Sequence, residues 1–199
     1  MNVIAQEEAL LIRKMEESTG DLEQYLRWMT DPETMRFWEG MTEAYDRERV
    51  VREYQECIEE KATPCMVELD GRRIGYCQFC TLDAALYEVP QTEWNRVVRP
   101  GETVYGIDMF IGDVSCRDRG IGTRILNLLC AALAETYHAD VLMIDPKIHN
   151  ARAIACYRKC GFADLCVVPQ REGQDGILHD SLILYRRGRP AAQSTSTGR

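Results

Sequence analysis

Long apolar runs are missing from this 199-residue chain. None approaches the roughly 18 residues that a membrane-crossing helix needs, so no membrane span is expected. The N-terminal stretch MNVIAQEEALLIRK has no basic-then-apolar layout of a secretory signal, and a cytoplasmic protein is expected. Positive charge is scarce: 24 Lys and Arg stand against 32 Asp and Glu, a net charge of −8. That balance argues against a general nucleic-acid binder and suits a cationic partner. The three histidines, His138, His149 and His179, have no metal-ligand spacing. Two phosphate-binding patterns are also absent. A dinucleotide loop needs a glycine two residues before Gly120, where Asp118 stands, and a P-loop needs Gly-Lys-Ser/Thr, where Gly122 is followed by Thr123-Arg124.

What remains fits one soluble domain, with 45% apolar and 28% charged residues. The nine cysteines are read as reduced thiols used mainly as small hydrophobes. Cys77 and Cys80 form a C-x-x-C on a strand, where positions i and i+3 face opposite ways, and no second pair completes a zinc site. No metal is expected.

The chain is organised around Val104 to Leu133. VYGIDMFIG reads as a buried strand ending near Gly112. Ile121, Ile125, Leu128, Leu129 and Ala132 then share one helix face. Between them Arg117-Asp118-Arg119-Gly120-Ile121-Gly122 makes a glycine-rich strand-to-helix junction. Unpaired N–H groups and the positive helix end make it a natural anion cradle.

Around this centre, residues 8 to 15 predict a first strand. Leu22, Tyr25, Leu26 and Met29 predict an amphipathic helix, and Asp31-Pro32 a short one ending at Phe37-Trp38-Glu39-Gly40. A helix from about Asp46 to Glu60 is expected to bury Val50, Tyr54, Cys57 and Ile58. Thr63 to Leu69 and Arg72 to Thr81 predict a hairpin about Asp70-Gly71. A long connection, Leu82 to Glu102, follows; such loops are functional or disordered. Val141 to Ile144 predicts a strand ending in Asp145-Pro146, and Asn150 opens a helix capped by Gly161. Leu165 to Val168 and Ile177 to Tyr185 predict the last strands about a turn at Glu172 to Gly176. A domain over 1–187 is expected, with a disordered tail over 188–199.

The stretch IDPKIHNARAIACYRKCGF carries N-x-x-A-x-x-x-Y-x-x-x-G-F on Asn150, Ala153, Tyr157, Gly161 and Phe162. Together with the Arg-x-x-Gly-x-Gly junction, this resembles the GNAT superfamily of N-acetyltransferases. YGID, GIGT, D-P-x-x-x-N and FWEG further resemble the aminoglycoside 6'-N-acetyltransferases within it, over roughly residues 8 to 186. The resemblance implies a single α/β GNAT domain, with a mixed, mostly antiparallel twisted sheet of about seven strands flanked by helices. It implies acetyl-CoA as cosubstrate and a small cationic amine as acceptor, expected to be an aminoglycoside modified at its 6'-amine, with the protein a monomer or homodimer.

Residue roles follow from the same resemblance. Arg117, Asp118, Arg119, Gly120, Ile121, Gly122 and Thr123 would cradle the coenzyme pyrophosphate. Asn150 and Ala153 would contact its arm, and the backbone of Met109 and Ile111 would bond the pantetheine and polarise the thioester carbonyl. Asp108 stands in an otherwise apolar strand, where an unpaired carboxylate is costly, so it should face a cavity or a partner. The resemblance makes it the acceptor's carboxylate and candidate base; a structural Asp bonded to a loop is the alternative. Tyr157 lies seven residues beyond Asn150, roughly 10 Å along the same helix face. The resemblance makes it the acid for the departing thiolate; a half-buried core aromatic is the alternative. For Asn150 a simple N-cap is the alternative. Asp145 would add negative charge for a polycation, or serve only the turn. Trp38, Gln78, Asp83, Glu88, Glu93 and Glu102 are further candidates for an acidic acceptor wall. Rival functions keep the chemistry but change the acceptor to another small amine, a siderophore precursor or a protein N-terminus, or make the chain a coenzyme A-binding sensor.

Overall fold

A computed structural model of the chain describes residues 2–36, 38 and 44–188. Phe37, Glu39 and Gly40 of the FWEG motif, and the expected tail from 189 on, lie outside the described residues. Strands β1 (Val3–Glu7) and β2 (Leu10–Lys14) form an opening hairpin. The sequence predicts one strand over 8–15; instead Glu8, at φ 51°, and Ala9 make the turn. β1 escapes pattern reading because it lies at a sheet edge, where none of its residues is fully buried.

Helix starts follow their caps. α1 (Thr19–Met29) is capped by the Ser18 hydroxyl and α2 (Pro32–Met35) by the Asp31 carboxylate. α3 (Arg47–Glu59) is capped by Asp46, which accepts from Arg49 N at 2.8 Å. Of the α3 residues expected in the core, only Val50 is fully buried, while Ile58 is 49% exposed. The reason is that α3 roofs a cleft, so Tyr54 and Cys57 line open space. β3 (Thr63–Leu69) and β4 (Arg72–Leu82) turn through Asp70 and Gly71, both at positive φ as a tight hairpin requires.

The connection expected to be loop is folded. It holds α4 (Gln91–Val97), and it buries Tyr87, Val89, Trp94 and Val98 against the sheet. Its helix has no side-chain cap, which removes the usual start signal. β5 (Val104–Ile111), α5 (Ile121–Glu135), β6 (Val141–Ile144) and α6 (Ala151–Lys159) follow as read from the sequence. β7 (Ala163–Gln174) and β8 (Ile177–Arg187) pair through two bulges, so both run longer than expected.

The strands make one sheet of eight, in the order β1-β2-β3-β4-β5-β6-β8-β7. Every neighbouring pair is antiparallel except β5 with β6. One face carries α5 and α6 over Ile12, Val67, Phe79 and Ile107. The other carries α1 and α3 around Tyr25, Met66 and Tyr76. The β5–β6 pairing spans only Val104 to Gly106 against Val141 to Met143. Beyond it β5 continues to Ile111 while β6 stops at Ile144, and the sheet opens a gap.

A buried ion pair ties α1 to the sheet. Arg13 donates to both Asp21 oxygens at 2.7 and 2.8 Å, Arg73 Nε donates at 2.7 Å and Glu16 N at 2.9 Å. Burial pushes the Asp21 carboxyl up, but these donors outweigh it and hold it below the ordinary aspartate range. Because the folded value is depressed, this stabilisation is present above the unfolded pKa and lost as pH falls through the folded one. Asp21→Asn is expected to cost about 3 kcal/mol at neutral pH in urea unfolding, since Arg13 keeps only Glu68. The gap between wild type and variant should close in acid; a constant gap would contradict this account.

Candidate active site

The gap between β5 and β6 sets the geometry. Gly112 N–H donates to Ile74 O at 2.9 Å, on the β4 side. Strand alternation then turns the backbone groups of Met109 and Ile111 away from β4, into the gap. Arg117 Nε donates to Ile111 O at 2.9 Å and its Nη2 to Thr34 Oγ1 at 2.9 Å, fixing the loop before α5 against α2.

That loop delivers a bare helix start. Gly120, at φ 76°, is the N-cap of α5 and offers no side-chain acceptor, whereas α1, α3 and α6 are capped by Ser18, Asp46 and Asn150. The first N–H groups of α5 and its positive dipole end are therefore left for an anion. A Cβ on Gly122 would stand 3.5 Å from Ile111 Cδ1 and 3.8 Å from Cys156 Sγ, so a larger side chain would fill the cleft. The donor cleft here has a volume of about 390 Å³ and is lined by Met109, Ile111, Arg117, Asp118, Gly120, Gly122, Thr123, Asn150, Ala153 and Tyr157. Arg152 and Lys159 add positive charge to its wall. Bare N–H groups, cations and a narrow strand-lined channel fit the pyrophosphate and pantetheine arm of a coenzyme A.

On the other side of Tyr157 lies an acceptor cleft of about 370 Å³, which holds Trp38, Gln78, Asp108, Asp145, Arg171 and Glu172. The two clefts share Trp38, Met109, Asn150 and Tyr157. Gln78 Nε2 donates to Asp108 Oδ2 at 2.9 Å, and Tyr76 OH donates to Gln78 Oε1 at 2.7 Å, which fixes the amide's orientation. Burial raises the Asp108 carboxyl above its ordinary range; the Gln78 bond opposes this, Glu172 adds to it and Arg171 opposes it. Burial likewise raises the Tyr157 phenol, with Cys156 and Asp108 adding to it, so the phenol keeps its proton at neutral pH.

A third space of about 540 Å³ opens under α3 and shares Trp38, Gln78, Cys80 and Leu82 with the acceptor cleft. It carries Glu53, Glu56 and Glu60, and among the described residues no Lys or Arg lines it.

Most of the sequence candidates converge here, but several do not. Arg119 is exposed and turns back to Ser115 O at 3.4 Å, and Ile121 packs on the α5 core. Asp83 caps a turn by accepting from Leu86 N at 2.8 Å. Glu93 pairs with Arg96 along α4. Glu102 is held by Arg187 and by Arg99 N, away from both clefts. Glu88 reaches the acceptor cleft only through Arg171, at 3.5 Å. Asn150 also caps α6, accepting from Ala153 N at 3.2 Å. Asp145 faces the cleft but is paired with Arg171, so its charge is already answered. The sequence analysis singles out neither Arg171 and Tyr87 nor the α3 glutamates as lining residues. The glutamates were legible as the polar side of an amphipathic helix; Arg171 had no local signal.

Among the described residues no group of three His, Cys, Asp or Glu is placed to hold a metal, and no helix is long and apolar enough to cross a membrane. Residues 17–168 match the family model described as the acetyltransferase (GNAT) domain. An aminoglycoside N(6')-acetyltransferase type 1 from Klebsiella pneumoniae is 26% identical over 175 residues, which is 86% of this chain and 84% of that protein. A kanamycin resistance protein from Rhizobium radiobacter is 35% identical over 99 residues, 50% of this chain and 90% of that protein. The solved structure of the aminoglycoside acetyltransferase AAC(6')-Ib with coenzyme A and kanamycin shares the fold at a TM-score of 0.69 and 24% identity. That likeness covers 89% of this chain and 94% of the other. With the family model spanning most of the chain, and a donor cleft shaped for acetyl-CoA as cosubstrate, the protein belongs to the GNAT acetyltransferases.

Proposed function

We propose that the chain acetylates the 6'-amine of aminoglycosides. The observation that carries this reading is the meeting of the two clefts at Tyr157, with Asp108 on the acceptor side. Acetyl-CoA supplies a thioester whose acyl carbon takes the amine's lone pair as the carbon–sulfur bond breaks. A polycationic amine arrives as an ammonium. Asp108 holds that ammonium and accepts its proton, and the raised pKa of its carboxyl brings the two proton affinities closer. The Met109 backbone in the gap donates to the acyl oxygen. Tyr157 gives its proton to the sulfur, and its phenolate takes back the second proton that the newly acylated nitrogen sheds. Glu56 and Glu60 under α3 supply negative charge for ammonium groups remote from the reacting one, while Glu53 is held by Arg49. The similarity to the Klebsiella and Rhizobium proteins favours aminoglycosides over other amines as the acceptor.

Thiol release with acetyl-CoA against aminoglycosides, polyamines and peptides tests the reading. It expects turnover of kanamycin; acetylation of peptides or polyamines alone would leave the chain an acetyltransferase of another acceptor. Gly122→Trp should abolish coenzyme A binding in calorimetry while the protein stays folded, and unchanged affinity would sink the cradle. Tyr157→Phe should lower kcat by about 10²–10⁴ with coenzyme affinity kept, as the loss of one general acid does.

Asp108→Asn gives a pH test. In wild type, kcat/KM for kanamycin should rise with pH through a value above the ordinary aspartate range, since only the ionised carboxylate accepts a proton. The variant should lose most activity and that limb together. An acid limb that survives at the same pH would assign it to another group.

A further inference from the structure

The acceptor cleft holds two cations of its own, Lys147, whose Nζ donates to Trp38 O, and Arg171. Arg171 sits where the β7–β8 ladder slips between Val168 and Glu172, next to Gln170 at φ 53°. Its side chain is only 10% exposed. The guanidinium lies 4.5 Å from the centre of the Tyr87 ring and bonds the Asp145 carboxylate. Glu172 Oε1 stands 3.5 Å from Nη1, and Glu88 Oε2 stands 3.5 Å from Nε. Yet Nε is buried without a hydrogen-bond partner. A buried donor left unmade costs free energy, so it is a place where an acceptor atom of a ligand would be gained.

We propose that Arg171 is a specificity-determining residue that selects hydroxyl over ammonium beside the reacting amine. This rests on the reading of Asp108 as the carboxylate that receives that amine. The guanidinium answers Asp145 directly and, with Lys147, offsets Glu172 and Glu88, which weakens the pull that a second ammonium would otherwise feel there. Its Nε–H, buried and 3.5 Å from the exposed Glu88 carboxylate, donates to a hydroxyl oxygen that takes the place of Glu88. The favoured acceptor is therefore an amine whose neighbouring positions carry hydroxyl groups, with further ammonium groups lying under α3, near Glu56 and Glu60.

Two matched pairs test this by thiol release: kanamycin A against its derivative with an amine in place of the 4'-hydroxyl, the ring position next to the carbon that bears C6', and 3-amino-1-propanol against 1,3-diaminopropane. Wild type should prefer the hydroxyl member of each pair by kcat/KM. Arg171→Gln should shift that ratio toward the diamine by about tenfold, the lower range for a close charge pair. Arg171→Lys, which keeps the charge but loses the Nε donor, should shift the ratio less than Arg171→Gln does. An unchanged ratio, or an equal loss on both members as a merely structural role would give, overturns the proposal. Arg171→Met keeps the stem on Tyr87 if the Gln variant does not fold; failure of both to fold assigns the residue to the fold and also overturns it. If wild type turns over the simple pair but neither kanamycin, the aminoglycoside reading fails and the simple pair still decides Arg171. Turnover of neither pair overturns both.

Discussion

Everything at the site depends on where β5 and β6 stop pairing. Three residues of parallel ladder hold the two strands together, and then β6 ends while β5 runs on. A strand edge inside a domain is normally covered, because unmet N–H and C=O groups are costly. Here Arg117 meets the Ile111 carbonyl, while the Ile111 N–H and the Met109 backbone groups face the gap, where a coenzyme arm with its own amide groups would pair with them. The same parting lets α5 begin at the mouth of the gap, so the anion-binding helix start and the unpaired strand edge face one channel.

The gap also connects the two faces of the sheet. Tyr157 belongs to the α5–α6 side, and Asp108, by strand alternation, lies with Tyr76 and Phe110 on the other. Donor and acceptor can thus enter from opposite sides and meet only at the gap. Charge follows the same division. Arg117, Arg152 and Lys159 stand on the donor side, whereas the α3 glutamates stand on the acceptor side. The division is one of balance and not of sign, since Glu33 and Asp118 also line the donor cleft and Lys147 and Arg171 the acceptor cleft.

The sequence made the centre of the molecule legible because local chemistry wrote it there. Gly120 must adopt a left-handed conformation, and Asn150 must cap a helix, so residue type and position were bound together. α1, α3 and the β3–β4 hairpin carried their caps and turn residues in the same way. What could not be read depended on distant partners. Glu102 looked like a free acid until Arg187 was brought beside it from the end of the chain. Asp145 looked like a free charge until Arg171 reached it across a bulge. β1 and α4 were missed for a related reason: one is an edge strand with little buried surface, and the other starts at a proline with no capping side chain. An ion pair between residues far apart in sequence leaves no periodicity, so charged wall residues were the least legible class.

The order of strands has a consequence for how the site comes into being. β1 with β2 and β3 with β4 close as short hairpins, whereas β2 pairs with β3 across α1 to α3, Leu10 facing Leu69, and β4 pairs with β5 across α4. β6 must wait for the α5 crossover, and β8 must slot between β6 and β7. Contacts of larger sequence separation form more slowly, because loop closure comes before their reward. Gln78 lies on an early hairpin, but Asp108 reaches it across 30 residues, and Arg171 meets Tyr87 across a longer span still. The site thus has no local nucleus of its own and is completed only as the sheet as a whole closes.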